Sequence, residues 1–490
     1  MKNQHVSNVC ADDAAQEVAA ASVSMRRSFL RGLGASGLGA AAVLAGCGGS
    51  SGRSTDAQGN DVPNGDGSNG DGTNGDGSNG NGSNGDGSNG NVPQDARLPV
   101  TGCLLPGYAQ IYNVKDYGAV GVVGHAAADT NGFLDAIAAA TGKPGAVVYV
   151  PDGTYTINRV LELDGVTLLG KVVPGWPSDH FTVMPKILPV VTPASSNDAF
   201  LTLKNGARLS GVFLECNEPA NKANWIIQIV EGAAKVQIDG IRISDCQNAI
   251  KTAGAANSGG VSIANCFLHN VVKRAVYVQA PTTVTTDKVL LSNVHIWKNS
   301  GAWTFTEHGF YIENPMDVML DACSVFTCGR GIEVAGWRTG GALGRVKVRN
   351  FDADLNVTTL VVSSPCDLEV IGGVYWQHES ALWATGNSQA ARVSIVGADM
   401  KSNGSPVINA GALASLTIKG AHLNRSFPYR QNVVAVSARL VTSVALSGCI
   451  LEAVRTSAGQ DPTQWLLSLS GTQAVTDALA RNAVIPAAAA

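Results

Sequence analysis

Charge is scarce in this 490-residue chain: Asp, Glu, Lys and Arg make up 15% of it, and the net charge is −4. No basic stripe is left over to neutralise phosphates, which argues against a nucleic-acid partner. So little charge also gives no strong electrostatic steering. The apolar, small-residue run from Leu33 to Ala45 is too short to span a bilayer as a stable helix. Residues 48–98 contain no glutamate, although NGDGSNGDGTNGDGSNG at their heart repeats Asp before Gly. A calcium loop would need a bidentate Glu after its glycine turn, so this stretch reads as a solvated tether. Disorder of the whole chain is excluded by its 45% hydrophobic content, which together with 57 glycines suits a glycine-cornered β-solenoid.

The first 47 residues read as an address. Arg26 and Arg27 in MRRSFLRG precede the short apolar run, the order of an export signal, with Met25 as an alternative start. The arginine pair resembles a twin-arginine signal. Leu44-Ala45-Gly46-Cys47 resembles the lipobox of bacterial lipoproteins, which implies a lipid on Cys47 and, with Gly48 next, placement at the outer membrane. Residues 48–98 then lack the apolar content needed to offset ordering entropy. The expected organisation is a lipoprotein signal at 1–47, a disordered tether at 48–98 and one folded domain at 99–490.

That domain is built on a repeat. The pattern apolar, x, apolar, x, small, apolar, x, apolar begins at Val236, Val261, Val289, Val318, Val346, Leu368, Val393, Leu416 and Val444, at intervals of 22 to 29 residues. A self-similar period of roughly 20–50 residues marks a stacked architecture, and alternation at period 2 makes each unit a strand. A second short strand follows in AIKTAG, AVYVQ, GFYIEN and GIEVAG. Two or three strands per turn describe a coil of a parallel β-helix, which buries its apolar face only by stacking on its neighbours. Asp129 or Thr130 can cap a short helix running through Ala140 and ended by Gly142. This helix would plug the first coil and hide its open strand edge. Strands are expected at Val147–Val150, Thr154–Ile157 and Trp465–Leu469, and a closing helix at Thr472–Arg481 with Val475, Leu479 and Ala480 on its apolar face. Cys266, Cys323 and Cys449 share one inward position with Ile241, Val294 and Phe351. Cys266 and Cys323 lie two coils apart, about 9–10 Å and beyond disulfide reach, so all three read as core fillers.

Val114, Asp116, Tyr117, Gly118, Ala119 and Val120, then Asp129 and Thr130, then Val148-Tyr149-Val150-Pro151, Gly153-Thr154-Tyr155 and Ile157 form a pattern. It resembles the pectate-lyase superfamily domain shared by rhamnogalacturonase- and epimerase-like proteins and phage tailspikes. The resemblance implies an all-β, right-handed parallel β-helix with short N- and C-terminal capping helices, acting on acidic or deoxy-sugar polysaccharides. The motif is structural and leaves the reaction open.

Aligning the second strands places Asn248, Arg274, His308 and Arg330 in one column and the outward Lys251, Tyr277, Tyr311 and Glu333, followed further on by Trp383, in another. Arginine forks match carboxylates, aromatic faces suit sugar rings, and histidine moves protons near neutrality. His308, Glu333, Arg330 and Arg274 are therefore the candidate catalytic residues, and Lys251, Tyr277, Tyr311, Trp297 and Trp383 the candidate substrate contacts. Another outward column holds His269, Trp297, Phe326 and Trp376 beside Lys298, either a carbohydrate platform or a surface under a long loop such as Gly336–Gly344.

Hydrolysis of the polygalacturonase kind would need an Asn-Thr-Asp motif, an Asp pair, Gly-His-Gly and Arg-Ile-Lys. Glu307-His308-Gly309 and Ser244-Asp245-Cys246 resemble parts of that set faintly, and the second Asp and the Arg-Ile-Lys are missing. The sequence therefore points to an exported, lipid-anchored enzyme acting on polyuronate- or pectin-like glycans by lyase or hydrolase chemistry. The alternative is a non-catalytic glycan-binding or surface-structural lipoprotein. No cofactor is required, and no coil gathers acids as a calcium site, though calcium stays open. The partners are the polysaccharide and, through the lipid, a membrane. A tether suits a monomer, with a tailspike-like trimer as the other arrangement.

Overall fold

The computed structural model describes residues 110–171, 184–192, 199–217, 221–253, 260–279, 288–299, 305–336, 343–402, 406–424, 435–454, 466–469 and 472–487. The signal segment with Cys47, the tether and most of the Gly336–Gly344 loop lie outside them.

The fold is a right-handed parallel β-helix. The chain visits three sheets in turn. Sheet 1 runs from Gln110–Asn113 to Val441–Ser447 and has 13 strands. Sheet 2 runs from Thr154–Ile157 to Ala483–Ala487, also with 13, and sheet 3 runs from Leu161–Leu163 to Leu467–Leu469 with 12. Every pairing is parallel and joins a strand to its counterpart one coil away; Val261–Ala264, for example, lies between Gln237–Asp239 and Val289–Ser292.

The small residue of the repeat has a backbone reason. Gly240, Asn265, Asn293, Ala322, Asn350, Gly372, Gly397, Gly420 and Gly448 all sit at φ between 48 and 66°. This left-handed region costs glycine nothing and asparagine little. In each copy a two-residue link holding that residue joins sheet 1 to sheet 2, as at Gly240-Ile241 between Gln237–Asp239 and Arg242–Ser244. The links from sheet 2 to sheet 3 and from sheet 3 to the next coil vary in length, and they account for the uneven repeat interval.

The inward side chains form one continuous core, with Ile238, Ile241, Ile243 and Ile250 contributed by a single coil. Each aliphatic side chain so buried is worth about 2 kcal/mol. Cys266, Cys323 and Cys449 are buried as free thiols, as their inward position requires. They are packing groups, and burial pushes the Cys323 thiol up to about 12.

Both ends differ in detail from the expectation. The first helix begins at Ala126, so Asp129 and Thr130 lie within it and do not cap it. Their side chains reach out of the helix instead. The Asp129 carboxylate accepts the N–H groups of Val120, Gly121 and Thr156 at 2.8–3.0 Å, and Thr130 Oγ1 accepts that of Asn158 at 2.9 Å. Both residues are buried, so helix, loop and first coil are pinned together by charge-assisted bonds. The first sheet-1 strand of the Val147–Val150 region is Ala146–Tyr149. At the other end the helix Thr472–Arg481 packs on Val441–Ser447 and Leu467–Leu469, where the next strand of sheet 1 would fall. Leu479 packs on the core as expected, whereas Ala480 is exposed and Ala478 is buried in its place. The strand before the helix is Leu467–Leu469, and Ala483–Ala487 then adds a sheet-2 strand that the sequence pattern did not announce.

Candidate functional site

The strip proposed along sheet 3 exists. Asn248 pairs with Arg274, Arg274 with His308 and His308 with Arg330 on successive coils. Beside them Lys251, Tyr277, Tyr311 and Glu333 form a second continuous column, followed by Val361 and then Trp383. Local sterics set the corner after the first column. A Cβ on Gly309 would lie 2.6 Å from the Gly331 carbonyl oxygen and 2.8 Å from Val325 Cγ1, so the coils approach here as only glycine permits.

Not every outward side chain of the two columns is solvated. Glu333 is 4% exposed and His308 5%. A carboxylate so enclosed must be satisfied by hydrogen bonds. His308 Nε2 lies 2.8 Å from Glu333 Oε2, Arg330 Nη1 donates to the same oxygen at 2.5 Å, and Ser363 Oγ donates to Oε1 at 2.8 Å. Burial alone would raise the Glu333 carboxyl, but these three donors outweigh it and hold it at about 2. Glu333 therefore stays ionised near neutrality, the state of a base or a charge partner. Facing a carboxylate, the Nε2 of His308 donates to it, which leaves Nδ1 as the ring nitrogen not engaged by Glu333.

Arg274 stands one coil back. Its guanidinium lies over the rings of Tyr311 (4.5 Å) and Tyr277 (5.1 Å), and the His308 ring meets Tyr311 edge-on at 4.9 Å. Lys251 Nζ lies 5.7 Å from the Tyr277 ring and 6.0 Å from that of Trp225. Arg274 and Lys251 make no ion pair among the described residues, so both cations are held by aromatic faces. Burial lowers the Lys251 ammonium; Glu313 opposes this and Arg274 adds to it. The Tyr277 hydroxyl donates to Glu313. Burial and that bond both raise the phenol. Glu313 is a member of the cluster that pattern reading missed, since it ends the GFYIEN strand two places beyond Tyr311.

Two further expected contacts lie away from this cluster, in the columns where the sequence placed them. Trp297 belongs to sheet 2, between His269 and Phe326, and not to the sheet-3 strip. Trp383 is on the right column, yet buried Val361 separates it from Glu333, and it is 39% exposed. The aromatic column on sheet 2 is also interrupted. Asp354 is the partner of Phe326, the pairing to the next coil shifts between Ala353 and Asn356, where Leu355 has φ 55°, and Trp376 on that coil pairs onward with Lys401.

Asp352 and Asp354 are a second group the sequence reading passed over, although the alternating FDADL puts both on one outward face. Burial, then repulsion from Asp354, pushes the Asp352 carboxyl up to about 7. Burial pushes Asp354 up to about 6, against the Leu355 N–H and Lys401. The fold thus binds protons that the unfolded chain has released, so stability should fall as pH rises from about 4 to 7, by at most about 1.4 kcal/mol per pH unit for each proton. Asp352→Asn should flatten that slope in thermal melts; an unchanged slope would place these carboxyls in water. Glu333 works in the opposite sense in a separate window: its contribution is complete above its ordinary value and is lost as pH falls through about 2.

Residues 111–178 match the family described as rhamnogalacturonase A/epimerase, pectate lyase-like. No curated protein matches the chain. Among solved structures, the catalytic unit of the thermostable GH87 alpha-1,3-glucanase from Streptomyces thermodiastaticus strain HF3-3 is 17% identical. The match covers 70% of this chain and 69% of that one, with a TM-score of 0.51. The mannuronan C-5 epimerase A-module of Azotobacter vinelandii is 15% identical over 70% of this chain and 81% of its own, with a TM-score of 0.41. A tailspike protein of Acinetobacter baumannii bacteriophage Fri1, a capsular polysaccharide depolymerase, is 11% identical over 69% of this chain and 63% of its own, with a TM-score of 0.40. At such identities the likeness is one of fold.

Proposed function

We propose that this chain is an exported, lipid-anchored enzyme that cleaves an acidic, polyuronate- or pectin-like glycan laid along sheet 3, by β-elimination. The observation that carries the reading is the 2.8 Å contact between His308 Nε2 and an ionised Glu333, which orients the ring and leaves Nδ1 as a base beside Arg274. Elimination needs a base for the proton next to the uronate carboxylate and a cation to neutralise that carboxylate as negative charge builds. His308 supplies the first, and Arg274 with Lys251 the second. The proton passes to His308, the glycosidic C–O bond breaks, the leaving oxygen takes a proton from water, and the sugar left behind carries a carbon–carbon double bond. Two-carboxylate hydrolysis on this strip is disfavoured because it needs a protonated acid, and Glu333 is held at about 2.

The glucanase fold among the solved structures supports a glycan as the partner. The Leu44-Ala45-Gly46-Cys47 segment supports the anchored placement; recovery of the full chain in a soluble fraction would overturn it. Incubation with pectic and alginate-type glycans tests the chemistry. A rise in ultraviolet absorbance from unsaturated ends supports elimination, reducing ends alone mean hydrolysis, and binding without either product means a glycan-binding protein. Arg274→Ala should raise KM by about 10- to 100-fold, the weight of a lost charge-assisted bond. An unchanged KM would remove Arg274 from the carboxylate subsite.

A further inference from the structure

His308 has two nitrogens and the reaction proposed above uses both, but only one is connected. Nδ1 is buried and has no hydrogen-bond partner among the described residues. The polar atom near it is Glu307 Oε1, 3.6 Å away, on a side chain that is 59% exposed. The contrast within this adjacent pair is large: the His308 side chain is 6% exposed. A base that gains a proton in each turnover must pass it on before the next, and no hydrogen bond among the described residues leads away from this nitrogen. Glu333 cannot take the proton, because it is held ionised at about 2 by three donors. Glu307 has no such donors among the described residues, and it needs to move by only about 0.6 Å to reach an ordinary hydrogen-bond distance.

We infer that Glu307 is the proton relay of this site: it accepts the Nδ1 proton of His308 and hands it to bulk water. The step is a simple transfer. The N–H bond of the imidazolium breaks and an O–H bond forms on the Glu307 carboxylate. The neutral imidazole is left ready for the next sugar, and the carboxyl then loses its proton to solvent. Glu307 touches the base and not the substrate, so it is a positioning and relay residue. The assignment rests on reading His308 as the proton acceptor, although the path from Nδ1 to solvent exists whether or not a glycan is cleaved.

The test uses the full chain and its Glu307→Gln variant, with two readouts. Nitrogen-15 histidine NMR, with the His308 signal assigned by its loss in His308→Asn, measures how fast the imidazole proton exchanges with water. Exchange should slow by about tenfold in Glu307→Gln. In the glycan assay kcat should fall by a similar factor with KM unchanged, and added formate or acetate should restore it by substituting for the missing carboxylate. Unchanged exchange with unchanged kcat would overturn the relay while leaving elimination intact. A loss of kcat that small acids do not restore, or one that appears as a rise in KM, would also overturn it by giving Glu307 a shaping role. Slowed exchange in a protein that turns over no glycan would keep the relay and sink the elimination reading.

Discussion

Replacing His308 with alanine should reduce unsaturated-end formation from an acidic glycan by about 10²- to 10⁴-fold, the usual worth of a positioned proton-transfer group. The fold should tolerate the change. Glu333 keeps Arg330 and Ser363 as donors when the imidazole is gone, so no buried carboxylate is left without a partner. The sheet-3 pairing of this strand runs through Phe310, Tyr311 and Ile312 on both sides and does not depend on the ring. Circular dichroism and the melting midpoint should therefore stay close to wild type while kcat collapses. Normal turnover by a folded His308→Ala protein would dissolve the proposed site. The strip would then be a binding surface whose histidine merely braces Glu333.

Phe351→Ala should give the largest loss of stability among single changes in the described core, about 3–5 kcal/mol. Phe351 is fully buried, its ring 6.0 Å from that of Phe310 on one side and 6.0 Å from that of Tyr375, stacked, on the other. The backbone cannot close the gap, because Gly373 already approaches so tightly that a Cβ there would lie 2.4 Å from the Phe351 carbonyl oxygen. A cavity should remain. In a solenoid each coil touches only its neighbours, so hydrogen-exchange protection should fall first in the strands around Ser324–Phe326, Asp352–Asn356 and Val374–Gln377. The melting midpoint should drop by about 5 °C or more. A midpoint within a degree of wild type would mean that the coils repack around the missing ring.

Much of this architecture was legible in the sequence because it depends on short-range rules. The alternation at Val261 or Val289 reports which side chains face in, and the small fifth residue reports a left-handed backbone angle. Counting from those landmarks was enough to align Arg274 with His308 and Arg330 across coils. Depth was not legible. Pattern assigns Glu333 to the outer face, and only three-dimensional packing shows that this face is roofed by Arg330, His308 and Ser363 and that the carboxyl is fixed in one protonation state. The Asp354 rung was skipped because the aromatic column was read by residue type, whereas the ladder counts coils regardless of what they carry. The first helix was started late because Asp129 and Thr130 are good caps by composition. Their side chains serve the loop and the first coil instead, a tertiary demand that overrides the local preference.

The two-residue link between sheets 1 and 2 is constant in all nine copies, whereas the other two links of each coil vary in length. Evolution, or a designer, can therefore add or delete residues in the variable links without shifting any rung of the sheet-3 strip. The scaffold behaves as a fixed ruler with interchangeable brackets. A change in which polymer is accepted would then come from grafting new link segments beside an untouched Arg274–His308–Arg330 ladder.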